Sequence, residues 1–180
     1  LENDYKKYKE EEVFGNNARE IKKILEEVNS KYVGVCLDWG HANVQARNEF
    51  ENKNISQKEL ENFSFLEDFI KILGEKIYYA HIHYNYSHIV SSERHTRSII
   101  ETNNRDLHMP INKIRPEDEE NYKKTLNLLK NKTSINKCGK IMLELTRDKM
   151  FGFIPFNKYG ATTKDALESL EFLKSVFENK

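Results

Sequence analysis

The stretch from Val33 to His41, with the sequence VGVCLDWGH, constrains the fold of this chain more than any other. A short apolar run rich in β-branched residues predicts a strand buried on both faces, as in parallel sheets covered by helices. The strand ends in Asp38, and Gly40 permits a sharp turn that brings His41 back beside it. A carboxylate and an imidazole at a strand end suit a divalent metal ion. The alternative is that Asp38 caps the following loop and His41 lies on the surface.

The length and charge of the chain predict one ordinary globular domain over residues 1–180. Charged residues make up 32% and apolar residues 38% of the 180, which is enough apolar material for a core. The 29 basic and 29 acidic residues cancel, so no overall field favours nucleic acid or an anionic membrane. No apolar run is long enough to span a membrane, and Cys36 and Cys138 lack metal-like spacing. We therefore expect a reduced, cytoplasmic protein without membrane contact.

Hydrophobic periodicity predicts alternating strands and helices. Apolar residues at helical spacing favour helices over 17–29 and 56–73, a helix that begins at Pro116, and a last helix after the capping box Thr162-x-x-Asp165. Alternating or apolar runs favour strands over 32–38, 76–84 and 140–145, and residues 1–3 resemble the end of another strand. A polar loop is expected between Asp38 and residue 56, and residues 85–115 lack periodicity, which is typical of a functional or disordered loop.

Each predicted strand ends near a side chain that can bind a metal. These side chains are Glu2, Asp38, His81 and Glu144. In parallel β/α proteins the carboxyl ends of the strands meet at one edge of the sheet, where active sites lie. Four such groups are difficult to explain as core packing, because buried charges must be paired or must bind a metal. The sequence therefore predicts an α/β fold of parallel (β/α) units with a shared site.

In this order, the motifs resemble the carboxyl-terminal half of the xylose isomerase-like TIM barrels. That superfamily contains sugar isomerases, sugar and sugar-phosphate epimerases, and the endonuclease IV-type AP endonucleases of AP endonuclease family 2. The motifs are Leu1-Glu2-Asn3, the L-D-x-G-H-A pattern at Asp38, His81-Ile82-His83, Asp106-Leu107-His108 and Met142-Leu143-Glu144. The resemblance implies strands 5–8 of a barrel, with one divalent metal ion (Mn²⁺, Mg²⁺, Co²⁺ or Zn²⁺) held by Glu2, Asp38, His81 and Glu144.

The resemblance also implies chemical roles. Glu2 and Glu144 would be catalytic, one removing a proton from a sugar carbon and the other returning it, although Glu2 can also be a frayed terminal residue without a role. His83 would contact substrate or support the metal site. A second metal or the substrate could be bound by His41, His83, Asp106 and His108, with loop hydrogen bonding as the alternative. Arg94, Arg97 and Arg105 could contact a phosphate, or they are solvated charges.

The leading hypothesis is a metal-dependent isomerase or epimerase that acts on a small sugar or sugar phosphate once the barrel is complete. One alternative is an endonuclease IV-type abasic-site nuclease with a multi-zinc site, the only case in which nucleic acid is a partner. Another is an inactive or fragmentary barrel relative. Four β/α units leave sheet edges and an apolar interior uncovered. We therefore expect either a missing amino-terminal half-barrel or a second copy of the chain as a partner.

Overall fold

The computed structural model describes residues 1–4, 15–89, 107–146, 150–151, 154–155 and 160–178. Helices and strands alternate along most of this length. The helices are α1 (Ala18–Val28), α2 (Trp39–Glu51), α3 (Gln57–Glu61), α4 (Ser64–Leu73), α5 (Pro116–Lys132), α6 (Ile135–Cys138) and α7 (Thr163–Glu178). The strands are β1 (Val35–Asp38), β2 (Ile77–Ile82), β3 (Lys140–Leu143), β4 (Met150–Phe151) and β5 (Ile154–Pro155). Two 3₁₀ turns, Gly74–Lys76 and Ile111–Lys113, precede β2 and α5.

The main sheet contains three parallel strands in the order β1-β2-β3. Glu2 extends it by a parallel bridge to Cys36, as expected for a strand end at residues 1–3. Strands β4 and β5 form a separate antiparallel pair. The predicted α/β class with parallel strands is confirmed, and this architecture is consistent with a TIM-barrel-type fold. The numbering of these strands as the fifth to eighth of a barrel stays a prediction.

The two faces of the main sheet differ in burial. Val35, Leu37, Ala80 and Ile82 are at most 1% exposed and pack in one core with residues of α1, α2, α4 and α5. Burying each of the larger of these side chains contributes roughly 1.5–3 kcal/mol. On the opposite face Tyr79 and Met142 remain about half exposed, at 48% and 56%. The helices thus cover one face, while the other face carries the candidate ligands.

Local capping explains where several helices begin and end. Asn17 caps α1 by accepting a hydrogen bond from Arg19 N (2.9 Å), and Asn29 ends it in the left-handed conformation. The predicted helix start at Pro116 is confirmed, with three acidic residues in the first turn of α5. The capping box before α7 is also confirmed, because the Asp165 carboxylate accepts from Thr162 N and Thr162 Oγ1 accepts from Asp165 N.

The predicted polar loop after Asp38 is wrong. These residues form α2, because Asp38 caps the helix and because Trp39, Ala42 and Val44 supply a buried side that the polar composition concealed. The single helix predicted over 56–73 is interrupted as well. Phe63 adopts φ +56° between α3 and α4, which breaks the helical path. Over the described ranges, no helix is both long and apolar enough to cross a membrane.

Candidate metal centre

Strand register brings the four predicted ligands to one edge of the sheet. Asp38 at the end of β1 pairs with His81 on β2. Glu144 follows β3 directly, and its backbone N–H donates to Ile82 O (3.2 Å). Glu2 reaches the site from the other side through its bridge to Cys36. The sequence prediction that these groups converge therefore agrees with the geometry of the strands.

His81 lies at the centre of the group. Its Nδ1 is 3.4 Å from Glu2 Oε1, 3.7 Å from Asp38 Oδ2 and 3.3 Å from Glu144 Oε2. Two ligand atoms that each lie ~2.1 Å from one tetrahedral ion are about 3.4 Å apart. The separations from His81 Nδ1 are close to this spacing. Asp38, His81 and Glu144 form one group whose ligand atoms all lie within 4.8 Å of one another, and Glu2 falls in separate groups that share His81 or Asp38 with it.

Three of these atoms are buried without a hydrogen bond from the described residues. They are Asp38 Oδ2, His81 Nδ1 and Glu144 Oε2. Leaving a buried polar atom unsatisfied destabilises the folded state, and grouping carboxylates adds repulsion. A divalent cation would satisfy the three atoms together and offset the negative charge. The donor set of carboxylate oxygens and an imidazole nitrogen suits such an ion, so these residues fit the metal that the resemblance implies.

The two carboxylate oxygens of Asp38 make different contacts. Oδ1 accepts from His41 N (2.8 Å) and caps α2, while Oδ2 faces His81. Asn3, for which the motif Leu1-Glu2-Asn3 predicted no role of its own, fixes this end of β1. Its side chain is fully buried, donates to Asp38 O (2.9 Å) and accepts from Asp38 N (2.7 Å). Because Asn3 is adjacent to Glu2, the same pair of bonds holds Glu2 at the site.

His41 forms a second group with Glu2 and Asp38, in which one ligand atom from each residue lies within 4.8 Å of the others. Its Nδ1 is 3.8 Å from Asp38 Oδ2, 3.7 Å from Asp4 Oδ1 and 3.2 Å from Asn3 O. The prediction that His41 returns to Asp38 is confirmed, although a helical turn, and not a loop, brings it there.

His83 and His108 lie on the other side of the centre, beside Glu144. Their rings stack with centroids 4.1 Å apart and an interplanar angle of 12°. His108 Nδ1 is 3.5 Å from Glu144 Oε1. One ligand atom from each of the three residues falls within 4.8 Å of the others, so distance alone makes them a possible second metal group.

Cys36 lies next to Glu2 and His81 on the same side of the sheet. Its partial burial, together with the negative charges of Glu2 and Asp38, raises the pKa of the thiol to about 11. The thiol is therefore protonated at neutral pH. The remaining predicted site residues, Arg94, Arg97, Arg105 and Asp106, lie outside the described residues, so their predicted contacts with phosphate, a second metal or substrate stay predictions.

A buried network that the motifs did not reveal supports the loop after β2. Asp118 Oδ2 accepts from the Tyr84 hydroxyl (2.7 Å), His88 Nε2 (2.9 Å) and Arg115 Nε (2.6 Å). Burial acts to raise the pKa of Asp118, but hydrogen bonds from His88 and Arg115 outweigh burial and hold that pKa well below its usual range. The network anchors the loop that follows His81 and His83 to the first turn of α5.

Comparison with curated proteins and with solved structures gives no significant match. Comparison with protein families gives a match to the family described as xylose isomerase-like TIM barrel, over residues 2–176. The match covers nearly the whole chain and includes His81 and the three carboxylates around it. The chain therefore belongs to the xylose isomerase-like TIM barrel family.

Proposed function

We propose that this protein is a metal-dependent sugar or sugar-phosphate isomerase or epimerase. Glu2, Asp38, His81 and Glu144 would hold one divalent cation, and Glu2 and Glu144 would transfer protons. The observation that carries the proposal is the set of three buried atoms without hydrogen bonds, Asp38 Oδ2, His81 Nδ1 and Glu144 Oε2, grouped at adjacent strand ends. The cation would supply positive charge that stabilises the oxygen charge developing on the substrate.

The two glutamates reach the centre from opposite edges of the sheet. Glu2 joins it beside β1, Glu144 follows β3, and His81 on β2 lies between them. Their side chains are 47% and 37% exposed, whereas that of Asp38 is 1% exposed. Asp38 is therefore suited to hold the cation, and the two glutamates are suited to meet a substrate that enters from solvent.

This arrangement suits proton transfer next to a sugar carbonyl. One glutamate carboxylate would take the proton from the carbon beside the carbonyl, and the electron pair of that C–H bond would move to form an enediolate. The other glutamate would return a proton to the opposite face of the same carbon for epimerisation, or to the adjacent carbon for isomerisation. One glutamate gains a proton and the other loses one, so their protonation states are exchanged after a turnover, and proton exchange with solvent restores them without consuming another reactant.

Hydrogen exchange with solvent tests the reaction whichever product is formed. Ketoses and ketose phosphates are incubated in D₂O with the protein and Mn²⁺ or Co²⁺, and deuterium in the recovered sugar is measured by mass spectrometry. We expect incorporation at the carbon beside the carbonyl, and a loss of about 10²–10⁴-fold in Glu144→Gln and in Glu2→Gln. Glu75→Gln is the matched control, because Glu75 is exposed and pairs with Lys137 just before β2 begins. Absence of exchange with every sugar, in the fully assembled barrel, would contradict the proposal.

The abasic-site nuclease remains the second candidate, because Glu2 and Asp38 also form a group with His41. Shared carboxylates are how sites with two metal ions are built, and such sites favour phosphodiester hydrolysis. The nuclease resemblance implies His41 and His108 as further zinc ligands, and among the described residues they belong to separate groups. Metal analysis distinguishes the candidates: several zinc ions per chain with cleavage of abasic duplex DNA supports the nuclease, and a single ion supports the isomerase.

The substrate and the location follow from the same proposal. A phosphorylated sugar is the proposed substrate, and Arg94, Arg97 and Arg105, which lie outside the described residues, are its proposed phosphate contacts. A cytoplasmic location suits the metabolism of sugar phosphates and the isolated cysteines of the sequence. If the phosphate contact is correct, triple replacement of these arginines by glutamine raises KM for a ketose phosphate and leaves KM for the unphosphorylated ketose unchanged.

A further inference from the structure

His83 occupies a space that depends on a glycine. Its side chain is fully buried just after β2. A Cβ built on Gly40, in the first turn of α2, would lie 1.6 Å from His83 Nε2, far closer than real Cβ atoms approach a neighbour. The backbone carbonyl of His83 accepts from the Tyr122 hydroxyl (3.3 Å). Because Gly40 has no side chain, the His83 ring can pack directly against the first turn of α2, which contacts one side of the ring.

The opposite side of the His83 ring contacts His108. The two rings are nearly parallel, with 12° between their planes and 4.1 Å between centroids. The lone pair of a ring nitrogen lies in the plane of its ring, so parallel rings direct their lone pairs along separate planes. One ion cannot lie in both planes at a distance of ~2.1 Å from each ring. The stacking therefore indicates ring contact and argues against joint metal binding by His83 and His108.

The contact continues from His108 to Glu144. His108 Nδ1 is 3.5 Å from Glu144 Oε1, while Glu144 Oε2 is 3.3 Å from His81 Nδ1. The Glu144 side chain is 37% exposed, so packing alone does not fix the rotation of its carboxylate. The His108 contact selects the rotation in which Oε2 faces the candidate metal centre.

We infer that His83 is a positioning residue for Glu144. By stacking on His108 it holds the imidazole that contacts Glu144 Oε1, and this keeps Glu144 Oε2 directed at His81 and Asp38. The inference rests on the proposed function, because it assigns Glu144 to the metal centre. It gives His83 a role that uses the shape of its ring and not its nitrogen atoms, in place of substrate contact or a metal bond.

Metal affinity tests this role through two replacements of His83. His83→Leu replaces the planar ring with a non-planar, apolar side chain of similar size. Thienylalanine at position 83 keeps a flat five-membered aromatic ring and removes both nitrogens. Binding of Mn²⁺ to the purified chain is measured by titration calorimetry. We expect about 10-fold or greater weakening in His83→Leu, the size typical of residues that support metal ligands, and wild-type affinity in the thienylalanine protein.

A double-mutant cycle shows whether His83 acts through His108. If it does, His83→Leu causes no further loss of Mn²⁺ affinity in a His108→Leu background. An independent loss of the same size in that background overturns the inference. The inference is also overturned if the thienylalanine protein folds but binds Mn²⁺ as weakly as His83→Leu, because the ring nitrogens would then be required. Circular dichroism checks folding, and if His83→Leu does not fold, the thienylalanine protein decides alone.

The outcomes also separate this inference from the proposed function. Wild-type protein that binds no divalent ion refutes both. Wild-type binding that is unchanged in His83→Leu refutes only the positioning role. Loss of affinity in His83→Leu without loss in the thienylalanine protein supports the role of the stacked ring.

Discussion

Replacing Asp38 by asparagine is expected to separate its two functions. Oδ1 caps α2 by accepting from His41 N, and Oδ2 faces the metal centre. Asparagine caps helices about as well as aspartate, so the metal-free variant should keep its free energy of unfolding within about 0.5 kcal/mol. The neutral amide, however, replaces an anionic ligand. The variant should therefore lose the stabilisation that the metal gives to the wild type.

The size of this loss follows from binding linkage. A ligand at 100 times its Kd stabilises the folded protein by about 2.7 kcal/mol, provided that it does not bind the unfolded chain. We expect this increment in the wild type and little of it in Asp38→Asn. Asp38→Ala removes the cap as well, so its metal-free form should lose about a further 1 kcal/mol. For a chain of this length, each 1 kcal/mol corresponds to roughly 2–4 °C in Tm.

Urea unfolding followed by circular dichroism, with EDTA or with Mn²⁺, measures both quantities. The comparison of asparagine with alanine is internally controlled, because both variants lack the carboxylate and only one lacks the cap. Full metal stabilisation of Asp38→Asn would refute the assignment of Oδ2 to the metal centre. Equal metal-free stability of the two variants would refute the capping argument.

Three further predictions concern the core and the exposed sheet face. Asp118→Asn should cost about 3 kcal/mol at pH 6, because a buried ion pair loses its charge. Since the folded pKa of Asp118 is lowered, its stabilisation is fully present above its unfolded pKa of about 3.9 and is lost progressively as pH falls from that value towards the folded pKa. The difference between the urea midpoints of variant and wild type should therefore shrink steadily below about pH 4. Gly40→Ala should displace His83, because the added Cβ would overlap its ring. We expect calorimetry to show weaker Mn²⁺ binding and urea unfolding to show a free energy of unfolding lower by about 1–3 kcal/mol. Light scattering should show the chain paired with a second copy or with an added amino-terminal half-barrel. The double variant Tyr79→Ser and Met142→Ser should weaken that pairing, because it removes two exposed apolar side chains from the sheet. A stable monomer both alone and with the added half-barrel contradicts the prediction.

The strand ends were predictable because a period-two pattern is local, and because strands that alternate with helices along the chain pair in parallel. Once Asp38, His81 and Glu144 are placed at the ends of parallel strands, their convergence follows from register. The helix α2 was not predictable in the same way. Its buried side is made partly of Asn43 and Gln45, so its hydrophobic pattern is weak, and tertiary contacts decide its conformation.

The residues that hold the site in place were less accessible to sequence reasoning than the ligands. Asn3 is a small polar residue whose hydrogen bonds to Asp38 span 35 positions, and no local pattern marks such a pair. The contacts of Asp118 with Tyr84 and His88 likewise join separate segments. The one available signal was the capacity of Asn3 to bond both an N–H and a carbonyl next to a predicted strand end.

The sequence left two interpretations of Asp38 open, a cap on the following loop and a metal ligand. The geometry makes capping and metal binding compatible, although the capped element is the helix α2. A carboxylate has two oxygens, and the cap requires only Oδ1. By fixing Oδ1 to the first turn of α2, the cap also fixes the direction of Oδ2, which lies 3.7 Å from His81 Nδ1. A ligand held in this way would lose little conformational freedom when a cation binds, so we expect the cap to contribute to metal affinity as well as to helix stability. Among the described residues, no backbone group caps the Glu144 carboxylate in this way, and the His108 contact takes the place of a cap. We therefore expect the flat ring stacked on His108 at position 83 to affect metal binding.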